Sequence, residues 1–154
     1  MELSGQVSAI KRPGVIIKDA ALLKNWQVIM LEKRLTMKNR EGAIGYCLGM
    51  GNTYEDYPFR DKNWTLMRHI DNKKVFAWIF EKDGHVWINV KCEPGLLDYW
   101  RQIYHSVVPA FHLNKDHWNS IILDGTVPKE DIYEMIKQSY MLTKKNNSKV
   151  NFKK

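Results

Sequence analysis

Residues 65–91 carry three strand-length runs cut by two turn signals, and no other feature of the chain constrains its fold as tightly. The first run, 65–70, ends at Asp71-Asn72-Lys73, a polar turn. The second, 74–81, contains Val75, Phe76, Ala77, Trp78, Ile79 and Phe80 and is apolar on both faces, as a central strand would be. Lys82-Asp83-Gly84 follows, and its Asp-Gly pair supplies the positive φ that a short hairpin requires. The third run, 85–91, alternates, with Val86, Ile88 and Val90 on one face. Loops this short join antiparallel neighbours, because a parallel pair needs a crossover of a dozen or more residues. The segment therefore predicts an antiparallel meander.

The flanks read as helices and further strand. Ile44, Cys47 and Leu48 share one face of a predicted helix over 39–49, which Gly49 and Gly51 end. Residues 52–63 read as a polar loop around Tyr57-Pro58-Phe59. After the meander, Pro94 suits the first turn of a helix whose inward stripe is Leu96, Leu97, Trp100, Ile103 and Tyr104. Residues 107–116 read as an irregular connection, and 118–123 as a fourth strand closed by Asp124-Gly125. Pro128 opens a last helix to about residue 142, with Ile132, Met135, Ile136 and Tyr140 inward. Before the meander lies a leader with a short strand near 14–17. A helix over 20–31 follows, capped by Asp19, with Ala20, Leu23, Trp26, Gln27, Met30 and Leu31 at helical spacing. This order predicts an α+β fold: an antiparallel sheet of four or more strands with helices on one face. The domain division is an extension over 1–38, a folded domain over 39–143 and a basic tail over 144–154.

A chain of 154 residues with 44% hydrophobic content and six tryptophans can build one domain core. No apolar run reaches the roughly 18–20 residues of a membrane span. Residues 1–14 also lack the apolar stretch of a secretory signal. The cytoplasm is the expected location, with no membrane partner. Cys47 and Cys92 are far apart without CxxC spacing and read as reduced, buried small hydrophobes. The net charge of +7 points toward a polyanion, but its distribution matters more. Residues 1–40 carry +5 and 143–154 carry another +5, leaving −3 for 41–142. The basicity belongs to the ends.

Catalytic motifs are absent: the chain has no G-x-S-x-G, H-E-x-x-H or P-loop, and Glu55-Asp56 reads as a solvated pair in a loop. His69 and His85 read as strand packing residues. His112, Asp116 and His117, with His105 as a further nitrogen, are the nearest approach to a metal-ligand set. Their spacing sits on an irregular connection, not a preformed helical face, so no metal and no cofactor is expected. Aromatic residues interleaved with bases are the nucleic-acid cue, carried here by Trp64, Arg68, Lys73, Lys74, Trp78, Trp87 and Lys91. Phe76, Trp78 and Phe80 are assigned to packing, which leaves the turn lysines as the freer cations.

Three stretches carry a family resemblance: Glu55-Asp56-Tyr57-Pro58-Phe59; Lys91-Cys92-Glu93-Pro94; and His112-Leu113-Asn114-Lys115-Asp116-His117-Trp118-Asn119 with Leu123-Asp124-Gly125. Together with Ile136, Ser139 and Tyr140 in the last helix, they resemble the YjbR/MmcQ family over about residues 39–143. The motif positions are Tyr57, Pro58, Phe59, His112, Asn114, Trp118, Asp124 and Gly125. The resemblance implies a CyaY-like (frataxin-related) fold and DNA binding through two β-hairpin wings, without catalysis. Frataxin-type iron binding does not carry over, because that activity uses a ridge of acids in the first helix and the helix here has only Glu41. On this reading Arg68, Lys73 and Lys74 at one hairpin, and Lys115, His117 and Asn119 near the other, contact phosphates. Lys144, Lys145 and Lys149 add an electrostatic arm. The alternative is a sequestering domain for a protein or a small planar ligand, since one family name derives from an antibiotic-resistance setting, with a pocket of Tyr57, Phe59, Trp118 and His112. A small enzyme ranks last.

Overall fold

The computed structural model describes residues 11–12, 15–16, 19–25 and 37–146. Two compact units divide the chain, Met1–Leu35 and Thr36–Lys154. In the first, β1 (Lys11–Arg12) pairs antiparallel with β2 (Val15–Ile16). A helical turn, α1 (residues 20–25), follows. Asp19 caps it as the sequence predicts, its carboxylate accepting from the Ala21 N–H at 2.9 Å. Residues 26–31 of the predicted helix, and the tail from 147 onward, lie outside the described residues.

The second unit opens with α2 (Arg40–Gly49), capped by Asn39, whose side chain accepts from the Gly42 N–H at 2.7 Å. Then come β3 (Thr53–Asp56), β4 (Thr65–His69), β5 (Val75–Lys82) and β6 (His85–Lys91). After them run α3 (Pro94–Ile103), β7 (Val107–Pro109), β8 (Trp118–Ile122) and α4 (Lys129–Thr143). Six strands form one antiparallel sheet in the order β3-β4-β5-β6-β8-β7, so the α+β expectation stands and the meander is its centre. The β5–β6 hairpin pairs Lys82 with His85 across Asp83 (φ 52°) and Gly84 (φ 76°), a two-residue turn with both φ values positive.

Two predicted loops contain edge strands. Residues 53–56 of the supposed 52–63 loop are β3, and 107–109 of the supposed connection are β7. Both lie at sheet edges, where a strand pairs on one side only and few apolar residues mark it. Thr-Tyr-Glu-Asp and Val-Val-Pro therefore carry too little alternation to be read as strands. Glu55 and Asp56 consequently sit on a strand, not in a solvated loop.

The core lies between the sheet and its helices. Ala77, Ile79, Val86, Ile88, Val90 and Ile121 meet Ala43 and Cys47 of α2, Leu97 and Trp100 of α3, and Ile132, Met135 and Ile136 of α4. Each fully buried Ile or Leu contributes roughly 1.5–3 kcal/mol. Two predicted stripe members fall outside this core: Leu48 and Ile103 are exposed. A bulge between Met67 and Arg68 shifts the β4–β5 register, so Arg68 opposes Val75 while Met67 opposes Ala77. Phe76 is the extra residue, and it packs beside His69 and Tyr140. The bulge is why Phe76 and Ala77 are buried at consecutive positions.

One hydroxyl ties α4 to the middle of the sheet. Ser139 Oγ donates to the Phe76 carbonyl at 2.5 Å and accepts from the Lys91 N–H at 2.8 Å, with its side chain fully buried. Ser139→Ala leaves two buried backbone groups unpaired at about 1–3 kcal/mol each, so a urea melt of the variant will show a loss of at least about 2 kcal/mol. His69, beside the same helix, is buried and contacts Thr143 Oγ1 at 2.7 Å. The Thr143 hydroxyl donates to the Ser139 carbonyl, so His69 Nε2–H is the donor to it. Burial holds this imidazole below its ordinary pKa of 6.5. The unfolded chain therefore takes up a proton near pH 6.5 that the native chain refuses. Native stability is full above that pH and declines as pH falls toward the lower native value. Denaturant midpoints between pH 7 and 5.5 will fall for the natural chain and stay flatter for His69→Gln.

Candidate functional site

Strand alternation sorts the charged strand residues between the two faces of the sheet. Glu55 and Glu81 share register positions with Met67 and Val86 on the helix side. Arg68, Lys82 and Lys91 fall on the opposite face with Trp78, Phe80, Trp87 and Asn89, and Asp56 lies there paired with Arg68 at 2.7 Å. Among the described residues of the second unit, no helix covers that face. Two loops reach over it instead, 57–64 between β3 and β4 and 110–117 between β7 and β8.

The second loop is pinned by buried polar side chains. Asn89 Nδ2 donates to the Phe111 carbonyl at 2.8 Å, and the Phe111 N–H donates to Ser120 Oγ at 2.9 Å. Ser120 in turn donates to Asn89 Oδ1. This places Phe111 against Phe80 at 5.7 Å and His112, at φ 63°, against the Phe111 ring at 4.0 Å. From the other side Trp64 stacks on Phe80 at 4.4 Å and Phe59 lies at 6.2 Å from Trp78. Trp64 also stands edge-on to Trp78 and 6.1 Å from His112. Lys82 Nζ sits 5.1 Å from the Trp87 ring and 5.3 Å from Phe111. Phe80 is buried beneath, Trp64, Trp78, Trp87 and Phe111 are partly buried around it, and Phe59 and His112 are exposed. The result is an aromatic cluster with one cation, Lys82, at its edge, itself paired with Asp83 at 2.5 Å. Trp78 thus has the packing role its strand position implied, on the loop-covered face: its ring meets Phe59 and Trp64 and its indole nitrogen is buried.

A second assembly forms at one end of the sheet. The turn of the β4–β5 hairpin carries Lys73 at φ 60° and Lys74, both exposed. Arg68 braces it, donating to the Lys73 carbonyl at 2.8 Å while paired with Asp56. Asn72 Nδ2 donates to the Thr143 carbonyl at 2.9 Å, so the last residue of α4 is fastened to this turn and Lys144 and Lys145 emerge beside it. The pairing registers bring Lys91, and the loop bearing Lys115 and His117, to the same end. Lys115 and His117 are exposed. Exposed Asp71, Glu93 and Asp116 share that end and offset part of the positive charge.

The predicted site residues thus divide. Lys73, Lys74, Lys115 and His117 are brought to one end as free side chains; Arg68 is a brace. Asn119 is not available to a phosphate: it is buried, accepts from Arg101 Nε at 2.6 Å and donates to the Leu97 carbonyl at 3.2 Å. Its position alternates onto the helix side, which a reading of the loop as one exposed stretch could not reveal. The motif residues mostly build loops. Asn114 Oδ1 accepts from the Asp116 N–H, and Asp124 accepts from Ser106 and from Thr126 Oγ1 and N–H. Burial raises the Asp124 carboxyl, but those hydrogen bonds outweigh it and hold the group below its ordinary value. Tyr57 donates to Glu55 at 2.6 Å, while Pro58 and Phe59 carry the 57–64 loop over the open face. Among the described residues Trp118 joins no aromatic pair, so Tyr57, Phe59, Trp118 and His112 do not form one ring-lined pocket.

Among the described residues no three His, Cys, Asp or Glu side chains converge as a metal-binding group. No described helix is long and apolar enough to cross a membrane. Cys47 and Cys92 are buried free thiols, and burial pushes Cys47 up to about 12. An open cleft of about 970 Å³ at the other end of the sheet mixes Lys38, Arg40 and Lys82 with Glu41, Glu81 and Asp83 and focuses no one charge. Phe111, Asn89 and Ser120 were not legible as site residues; the only signal was two polar residues at apolar-alternating strand positions. Asn89→Ala will release the Phe111 carbonyl, and amide exchange at Phe111 and His112 will accelerate at least about ten-fold, as losing roughly 1.4 kcal/mol of local stability requires.

The sequence matches the YjbR family over residues 48–142. It is 37% identical to YyaQ of Bacillus subtilis (strain 168) over 119 residues, 70% of this chain and all of that protein. It is 36% identical to YjbR of Escherichia coli (strain K12) over 66 residues, 43% of this chain and 56% of that one. Among solved structures, a Deinococcus radiodurans protein with a DUF419 domain superposes with a TM-score of 0.63 at 27% identity, covering 71% of this chain and 80% of that one. A Pseudomonas syringae protein superposes with a TM-score of 0.62 at 28% identity, covering 69% and 99%. With the same strand-and-helix frame and a relative matched along its whole length, the chain belongs to the YjbR family.

Proposed function

We propose that the protein binds DNA by charge and shape, without turning over a substrate, through the end of the sheet that carries Lys73, Lys74, Lys115 and His117. The observation that supports this most is the Asn72–Thr143 hydrogen bond, which sets Lys144 and Lys145 beside the turn lysines. Four cations from two distant parts of the chain thereby share one location, and they outnumber the acids around them. The β4–β5 turn and the β8 end are separated by β6, about two and a half strand spacings or roughly 12 Å. That is the order of the major-groove width of B-DNA, about 12 Å, so the two hairpins can meet phosphates on either side of one groove. Arg68 fixes the turn from within, and the exposed lysines act as point charges on the backbone.

Binding of this kind is non-specific and falls steeply with salt, each neutralised phosphate adding about 0.9 to the log–log slope. Duplex affinity measured by anisotropy between 50 and 200 mM salt will show that slope. Lys73→Ala/Lys74→Ala will lower the slope by roughly 2 and weaken binding at 50 mM salt, with the melting temperature unchanged. An affinity indistinguishable from zero at low salt would overturn the proposal.

A further inference from the structure

We infer that His69 operates a pH-sensitive latch at the proposed binding end. As a neutral imidazole it holds the end of α4 against the β4–β5 turn, which keeps Lys144 and Lys145 beside Lys73 and Lys74. On taking up a proton it releases α4, and the two lysine pairs part. The effect on DNA rests on the binding reading above; the latch itself is a matter of geometry and can be followed without DNA.

His69 is placed to do this by both its backbone and its ring. The backbone closes the stem of the turn: its N–H donates to the Lys74 carbonyl at 3.0 Å, and its C=O accepts from the Lys73 N–H at 2.9 Å. The ring is buried and reaches into α4, 5.0 Å from Phe76 and 4.6 Å from Tyr140, with Nε2 donating to Thr143 Oγ1 at 2.7 Å. Asn72 Nδ2, from the turn itself, donates to the Thr143 carbonyl at 2.9 Å. One residue of α4 is thus held by two side chains of the same turn, and the exposed Lys144 and Lys145 follow it directly. Helix ends fray at a cost close to zero, so two such bonds decide whether this one stays docked.

The neutral ring fits because Thr143 Oγ1, donating its own proton to the Ser139 carbonyl, needs one donor in return. A second ring proton makes a buried cation. Burial is the largest influence on it and opposes it; the Tyr140 backbone carbonyl and Asp71 favour it, and Lys144 and Lys74 oppose it. From the remaining strands, β3 sets uncharged Thr53 opposite His69 and β5 presents Phe76. Opening the junction gives the ring to water, where its ordinary value of 6.5 returns. Opening therefore becomes easier as pH falls below 6.5, by at most about ten-fold per unit. Lys74 and Lys144 repel the new cation from the two sides of the junction, so the added charge acts to separate them. The sign is diagnostic: acid ordinarily tightens DNA binding, since exposed His117 gains charge, and the latch works against that.

The test compares the full natural chain with His69→Gln, whose side-chain amide can donate to Thr143 Oγ1 without titrating, at pH 7.5 and 5.5 in 50 mM salt. Amide protection, corrected for intrinsic exchange, is read at Lys144, whose N–H donates to the Tyr140 carbonyl. In the natural chain it is expected to fall at least about five-fold at the lower pH while protection in β5 and β6 holds, and in His69→Gln to stay. Duplex affinity of the natural chain is expected to fall at least about three-fold relative to His69→Gln over the same interval, with a salt slope smaller by up to about 2. Asn72→Ala is expected to weaken duplex binding at both pH values. Unchanged protection at Lys144, or an equal loss across β5 and β6, overturns the inference. A natural chain that gains more affinity at pH 5.5 than His69→Gln also overturns it, because His69 then acts as one more cation in the interface. If duplex binds with the same pH profile in both chains, the DNA-binding reading stands and the latch falls. If protection falls as expected and no duplex binds at either pH, the latch stands and the DNA-binding reading falls.

Discussion

An antiparallel sheet presents two faces, and among the described residues of the second unit three helices pack on one while two loops reach over the other. Everything distinctive in this molecule follows from that asymmetry. On the helix side the sheet is aliphatic: Ala77, Ile79, Val86, Ile88, Val90 and Ile121 interlock with α2, α3 and α4. On the other side the same strands carry tryptophans and cations, because alternation by two assigns each residue type to one face. A one-residue slip would put Lys82 and Lys91 into the core, so the Asp83-Gly84 turn that sets the β5–β6 register also sets the charge of the open face.

Polar side chains buried within this frame connect its parts. Ser139 joins α4 to β5 and β6; Asn119 joins β8 to α3; Asn89 and Ser120 hold the 110–117 loop down on the sheet. Each satisfies backbone groups that would otherwise be stranded away from water. Their effect on function is indirect. The Ser139–Thr143–His69 chain and the Asn72 contact bring the end of α4 to the β4–β5 turn, and the basic segment that follows starts there.

The meander, its two turns, the helix starts at Asn39 and Pro94 and the inward stripe of α4 were all legible in the sequence, because each is set by neighbours within a few residues. The edge strands β3 and β7 were not, since a strand paired on one side needs little apolar pattern. Of the site, the turn lysines were legible from the turn itself. Trp78 was read correctly as a packing residue, but a tryptophan flanked by core positions gives no sign that loop residues Phe59 and Trp64 will be its neighbours. Asn119 was misplaced, because a polar residue in a polar stretch gives no sign that Arg101, eighteen positions earlier, will be bonded to it.

By itself the sequence determined the local matters: which segments extend, where the chain reverses, and which residues share a face. Backbone sterics and side-chain alternation act over a handful of residues, so these can be read without coordinates. Tertiary structure alone decided which face the helices cover, where the 110–117 loop lies, and that residues 72 and 143 meet. Those depend on contacts between residues distant in the chain, whose free energy comes from burial and hydrogen bonding that no local pattern encodes.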